Sequence, residues 1–171
     1  MAQSAAAAKK QAKKQKPLPE LPEGYKVKDG IAWGSRLPGL LEIAYFNPQK
    51  RNSVTGEGQM LMGRLINAAQ DDENIKVIFI HGGLFYSAGN ELGALASGAA
   101  NFSRDELVDA ASLGIEHRMV TNLMAIQKSR KPIVALIRGV AVGITFTAAS
   151  LFDFIYCTPE AKFATPFMAS C

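Results

Sequence analysis

The spacing of apolar positions along the chain changes several times, and each change marks an element. Tyr25 to Ser35 reads as strand, turn and strand, with Asp29-Gly30 as the hairpin signal between them. Leu40 to Phe46 is the next strand region, ended by Asn47-Pro48. From about Thr55 to Gln70, the residues Leu61, Leu65, Ala68 and Ala69 fall at helical spacing. Ile75 to Ile80 is an apolar run that fits a strand buried on both faces, as in a parallel sheet, and Gly82-Gly83 ends it. Ser103-Arg104-Asp105-Glu106 forms a capping box. It precedes a long helix to about Lys128, with Leu107, Ala111, Ile115, Met119, Leu123 and Ile126 mostly inward. Pro132 to Ile137 is another buried strand, residues 144–152 a short helix, and Phe154 to Cys157 a further strand. Strands that alternate with helices argue an α/β fold with right-handed crossovers.

Composition narrows this picture. The length of 171 residues and the apolar content of 48% suit one folded domain with a filled core. The net charge of +4 is a property of one end. Residues 1–16 hold five lysines (Lys9, Lys10, Lys13, Lys14, Lys16) and no acid, which leaves 14 basic against 15 acidic residues elsewhere. A charged groove for nucleic acid is therefore not expected. Residues 1–24, closing with Pro17, Pro19 and Pro22, read as a basic disordered tail and Pro-rich linker, and 25–171 as the domain. The start has no apolar stretch of the secretory type. It is alanine-rich and acid-free like an organelle transit peptide but lacks arginine. No apolar run approaches 18 residues, so no membrane span is expected. Cys157 and Cys171 do not make a disulfide framework, and a reducing compartment is expected.

Two glycine turns carry the candidate chemistry. Tyr86-Ser87-Ala88-Gly89-Asn90 follows the strand at 75–80, and a small residue before Gly89 would let a ligand approach the Ala88 amide. Gly139-Val140-Ala141-Val142-Gly143-Ile144 links a strand to a helix whose first amides have no internal partner, which makes the Ile144 N–H a second donor. Each turn also reads as an ordinary strand-to-helix connection. Two N–H groups aimed at one carbonyl oxygen would make an oxyanion hole. Asn47-Pro48-Gln49-Lys50-Arg51-Asn52-Ser53 is either a plain exposed loop or a phosphate contact with two adjacent cations. His81 and His117 read as structural, since neither has a partner at metal-ligand spacing, and no metal is expected. Ser87 lacks the G-x-S-x-G setting of a nucleophile. The G-x-x-x-G-I spacing is not a dinucleotide fingerprint.

Taken together, Asn47-Pro48 through Asn52-Ser53, Tyr86 to Leu92, Lys131-Pro132 through Gly143-Ile144, Leu151-Phe152-Asp153 and Ala161 to Phe167 resemble the crotonase (enoyl-CoA hydratase/isomerase) superfamily. The likeness runs from about Gly39 to the end. It is greatest to the Δ3,Δ2-enoyl-CoA isomerases of peroxisomal or mitochondrial type. The resemblance implies a crotonase-like spiral of ββα units, here C-terminally truncated, and a homo- or hetero-trimer if full length. It implies acyl-CoA as substrate with no cofactor, and a place in fatty-acid β-oxidation in the peroxisome or the mitochondrion. By the same resemblance, Ala88 and Ile144 are the oxyanion donors. Tyr86, Ser87, Ala88, Gly89, Asn90 and Gly143 contact substrate, and Lys50, Arg51, Asn52 and Ser53 lie near the CoA nucleotide.

Departures from the family pattern shape the expectation. Hydratases carry two glutamates where this chain has Thr147 and Phe167, so isomerase chemistry is favoured over hydration. Isomerases of this type carry their glutamate a few residues beyond Thr165-Pro166-Phe167, past Cys171. A polypeptide ending at Cys171 is expected to have negligible isomerase activity, and Glu91 is the acid nearest in sequence to a donor. The rival readings are a non-catalytic acyl-CoA-binding or scaffolding isoform, and another thioester chemistry such as hydrolysis.

Overall fold

The computed structural model describes residues 20–91 and 120–166. Three strands open it: β1 (Lys26–Lys28), β2 (Ile31–Gly34) and β3 (Gly39–Tyr45). A 3-10 turn (Pro48–Lys50) leads to α1 (Gly56–Asp71) and β4 (Ile75–His81). The described part of the next helix, α2, covers 120–127. The chain continues through β5 (Ile133–Ile137), β6 (Val140–Val142), α3 (Ile144–Ala149), β7 (Phe154–Cys157) and β8 (Lys162–Ala164). The expected helix start at Ser103 lies outside the described residues.

Local chemistry accounts for the first elements. Asp29 and Gly30 both take positive φ (51° and 75°), the pattern of the tight hairpin turn expected there, and β1 pairs antiparallel with β2. At the start of α1 the Thr55 hydroxyl accepts the Gly58 N–H at 3.0 Å and caps the helix. Lys131 binds the end of the same helix, its ammonium bonded to the carbonyls of Ala69 and Asp72.

The main sheet has six strands in the order β1-β2-β3-β4-β5-β7. It is antiparallel through β3 and parallel from β3 to β7. β6 and β8 form a separate parallel pair. Neither short strand was legible in the apolar pattern: 140–142 read as part of a glycine turn. One face of the main sheet holds the core. Ile31, Ile43, Ile78, Ile80, Ile133 and Ile137 pack there with Met62 and Ile66 of α1 and with Ala125 and Ile126 of α2. Isoleucine serves this face because its branched side chain fits the pleat and repels water.

The expectation that β4 is buried on both faces is corrected. Ile78 and Ile80 are wholly buried, whereas Val77 and Phe79 on the opposite face are half-buried and Lys76 is exposed. That second face carries charge, since Glu42, opposite Phe79 in the register, lies there with only 1% exposure. Strand β7 is exposed along its whole length, with Phe154, Ile155 and Tyr156 among the exposed apolar residues. No helix among the described residues is long and apolar enough to cross a membrane.

The core face sets the stability. Ile78→Ala removes a wholly buried side chain at the centre of the sheet. It is expected to lower unfolding free energy by about 2–5 kcal/mol, read as a reduced urea midpoint at unchanged slope. A loss below about 0.5 kcal/mol would mean that this face is not the core.

Candidate active site

The site begins with a segment pinned along its length. After β4 the chain turns at Gly82-Gly83, and Phe85 N–H returns to the Gly82 carbonyl at 3.4 Å. The Tyr86 N–H then donates to the Arg138 carbonyl (2.8 Å) and the Ser87 N–H to the Val140 carbonyl (3.0 Å). Val142 N–H donates back to the Ser87 carbonyl at 3.2 Å, so Ser87 bridges Ala141 in parallel. On its other side, the Ala88 N–H donates to the Arg51 carbonyl (3.0 Å). The Val54 N–H donates to Gly89 O (2.9 Å), and the Glu91 N–H to Val54 O (3.0 Å). The Gly89 N–H donates to the Ser87 hydroxyl (3.1 Å), which itself donates to the Asn52 carbonyl (2.6 Å).

Within 86–91 every N–H is thus engaged except that of Asn90, which has no partner among the described residues. The reason is geometric. In a parallel bridge the bridged residue of one strand turns its own N–H and C=O away from the other strand. Val54 bridges Asn90 through the flanking groups of Gly89 and Glu91, so the Asn90 N–H faces outward. Asn90 is exposed, and its side-chain oxygen accepts from Gln59 Nε2 at 2.6 Å. The donor expected at Ala88 is therefore corrected: its N–H is held by the Arg51 carbonyl, and the N–H of this turn without a partner among the described residues is that of Asn90.

The second turn meets the first. Gly89 has φ of 90°, and a Cβ there would lie 2.7 Å from the Val142 carbonyl oxygen and 3.9 Å from the Gly143 nitrogen. Only glycine permits both that dihedral and that approach. The Gly143 N–H donates to the Ala164 carbonyl at 2.8 Å, which ties this turn to β8. Ile144 is the first residue of α3, and its N–H has no described partner; Phe146 and Thr147 donate to the Gly143 carbonyl instead. Two N–H groups without a described partner, of Asn90 and Ile144, thus arise from turns in contact. Polarising a carbonyl oxygen is the chemistry open to such a pair.

The side chains around them are mostly supports. Tyr86 and Ser87 are fully buried and present no surface to a ligand. The Tyr86 ring meets Tyr45 edge-on at 5.1 Å, and burial pushes its hydroxyl pKa well up. Asn52, expected near the nucleotide, is 6% exposed. Its Nδ2 donates to the carbonyls of Gly82 (2.9 Å) and Phe85 (2.6 Å), and its Oδ1 accepts the Asn47 N–H at 2.9 Å. It is a strut for the 82–86 turn rather than a surface contact. Ser53 is buried as well. Lys50 and Arg51 are exposed, with the Lys50 ammonium paired to Glu91. Thr147 bonds its hydroxyl to the Gly143 and Ile144 carbonyls (3.3 and 3.2 Å) and supplies no carboxyl. Phe167 lies outside the described residues. The sequence did not single out Gln59 or the strut role of Asn52, because both depend on contacts across 30 or more residues.

Residues 36–170 match the family model described as enoyl-CoA hydratase/isomerase. The chain belongs to that family. Human enoyl-CoA delta isomerase 2 is 30% identical over 136 residues, covering 75% of this chain and 32% of that protein. Mouse peroxisomal enoyl-CoA delta isomerase 3 is also 30% identical, over 129 residues, covering 75% of this chain and 39% of that protein. Carnitinyl-CoA dehydratase of Salmonella enteritidis is 34% identical over 129 residues, covering 74% of this chain and 45% of that protein. A solved enoyl-CoA hydratase/isomerase family protein from Hyphomonas neptunium superposes with TM-score 0.69 at 27% identity, covering 82% of this chain and 52% of that one. One from Xanthobacter autotrophicus, at TM-score 0.73 and 22% identity over 83% of this chain and 51% of that one, supports the fold. The fold is therefore crotonase-like, and the chain spans about a third to a half of the length of these relatives.

Asn52→Ala leaves the buried Gly82 carbonyl and the half-buried Phe85 carbonyl without their side-chain donor. It is expected to cost about 1–3 kcal/mol of stability and to speed hydrogen exchange at Tyr86 and Ser87. Unchanged exchange at those amides would show that Asn52 does not hold the turn.

Proposed function

We propose that the protein is an enoyl-CoA isomerase of the Δ3,Δ2 type, acting on unsaturated fatty acyl-CoA. The supporting observation is the pair of N–H groups, of Asn90 and Ile144, that have no partner among the described residues and lie on two touching turns. A thioester carbonyl gains negative charge when a proton leaves its α carbon. Two fixed N–H donors stabilise that enolate without reorganising during the reaction. Return of the proton at the γ carbon moves the double bond into conjugation. This needs a base and no redox partner, so acyl-CoA alone is the ligand required.

The names of the isomerase relatives favour this reaction, and the threonine at 147 disfavours hydration from that position. The exposed Arg51 guanidinium, whose backbone carbonyl anchors the donor turn, is the group offered to a CoA phosphate. Lys50 is a weaker candidate because its ammonium is paired with Glu91. Likeness to the mouse peroxisomal isomerase makes the peroxisome the proposed compartment. The dehydratase relative supports a second reading, water loss from or addition to a similar acyl-CoA.

The test uses the protein as its source produces it, with 3-enoyl-, 2-enoyl- and saturated acyl-CoA. Conversion of the 3-enoyl thioester to the conjugated isomer is expected. Hydration of the 2-enoyl thioester would favour the dehydratase-like reading. CoA release would indicate hydrolysis, and binding without turnover a non-catalytic acyl-CoA carrier. Ile144→Pro removes one N–H at the first helical position, where proline is tolerated. It is expected to lower kcat about 10²–10³-fold. Unchanged kcat would exclude Ile144 as a donor.

A further inference from the structure

A polar cluster lies on the sheet face opposite the core, and the chemistry above does not use it. Glu42 of β3 is 1% exposed yet charged. Its carboxylate accepts from the Tyr25 hydroxyl (2.5 Å), from Arg36 Nε (2.8 Å) and Nη2, and from His81 Nε2 (2.7 Å). Tyr25 reaches it because residue 34 is glycine: a Cβ there would lie 2.6 Å from the tyrosine ring. Burial alone would raise the Glu42 pKa. Hydrogen bonds from Arg36 and Tyr25 and the charges of His81 and Arg36 outweigh it and hold the carboxyl below its ordinary range.

His81 carries this cluster to the site. It ends β4, stacks on Phe79 at 5.2 Å, and accepts the Gly83 N–H on Nδ1 at 3.0 Å. The Gly83 bond on Nδ1 and the Glu42 bond on Nε2 fix the tautomer, with the proton on Nε2 facing Glu42 and Nδ1 bare. Gly83 belongs to the turn that Asn52 braces at Gly82 and Phe85, and that turn feeds directly into Tyr86–Asn90.

We propose that Glu42 and His81 are positioning residues: His81 with a bare Nδ1 locks the Gly82–Phe85 turn and so aims the Asn90 N–H, and a proton on that nitrogen unlocks it. The functional consequence rests on the reading of Asn90 as a donor. A protonated Nδ1 would face the Gly83 N–H donor to donor, so the bond breaks while the pair with Glu42 persists. The groups facing His81 among the described residues are Glu42 from β3, Arg36 from the β2–β3 connection and, through Glu42, Tyr25 ahead of β1. Burial lowers the His81 pKa from its ordinary 6.5; Glu42 opposes this and Arg36 adds to it. The tyrosine, pushed up to about 12 by burial and by Glu42, does not titrate in the same range. The lock is closed at neutral pH and opens as pH falls below the ordinary histidine range.

The test needs no ligand at first. Amide and imidazole NMR shifts of the whole protein are followed from about pH 8 to about pH 5. The Gly83 and Asn90 amides are expected to move with one midpoint, that of the His81 ring. His81→Gln is expected to abolish the movement at Asn90. Arg36→Gln, at an exposed side chain, is expected to raise all three midpoints together. An Asn90 amide that stays still while His81 titrates overturns the proposal. So does one that titrates unchanged in His81→Gln, and if that variant does not fold, midpoints that separate in Arg36→Gln do the same. A 3-oxoacyl-CoA, whose enolate the two N–H groups would hold, is then titrated at both ends of the range. About tenfold more weakening at the acidic end is expected in the wild type than in His81→Gln, in which the ligand's own titration is the same. Absence of binding at every pH would defeat the acyl-CoA reading, while the ligand-free shifts decide the positioning role.

Discussion

The segment 86–91 is bonded along both edges at once, and the rest of the site follows from that. One edge is tied to Arg138, Val140 and Val142, the other to Arg51 and Val54. Five of its six N–H groups are engaged in holding it, which fixes its register and leaves its fine aim to the turn that precedes it. The Asn90 N–H points out because the same bridge that fixes the loop turns it away. Such a group needs no reorganisation when charge develops in front of it, which is the condition for stabilising an enolate. The close packing of Gly89 on Val142 places the helix start at Ile144 against this loop.

Much of the fold was legible in the chain. The Asp29-Gly30 hairpin, the helix over 56–71 and the core strands announced themselves by turn chemistry and apolar period. These are local signals, set within a few residues. β6 and β8 were not legible, because three-residue strands carry too little periodicity and pair across some 20 residues. The two turns and the Ile144 position were identified as the candidate chemistry from glycine placement. Glycine placement alone does not show that the Ala88 N–H is engaged. Which N–H of a turn is free depends on its neighbours' hydrogen bonds, here from Arg51 and Val54, some 35 residues earlier. Asn52 misled for a similar reason, since an amide beside two cations looks like a ligand contact until its partners Gly82 and Phe85 are known.

The two faces of the sheet divide the work of the fold. The isoleucine face against α1 and α2 supplies hydrophobic stabilisation. The other face holds an ionised carboxylate that is tolerable only because four donors surround it. Removing a donor from such a group costs more than the bond itself, since the charge stays buried. That makes the Glu42 cluster rigid, and His81 passes the rigidity to the turn before the donor loop. Asn52 braces the same turn from the other side of the chain, so two independent supports converge on it.

The central claim is that Asn90 and Ile144, rather than Ala88, present the N–H pair to a thioester oxygen. Amide NMR during titration with a 3-oxoacyl-CoA tests it most directly. The account predicts that the Asn90 and Ile144 amide protons shift downfield together as the ligand saturates, while Ala88 keeps its bond to Arg51 and stays in place. A shift at Ala88 with none at Asn90 would contradict it.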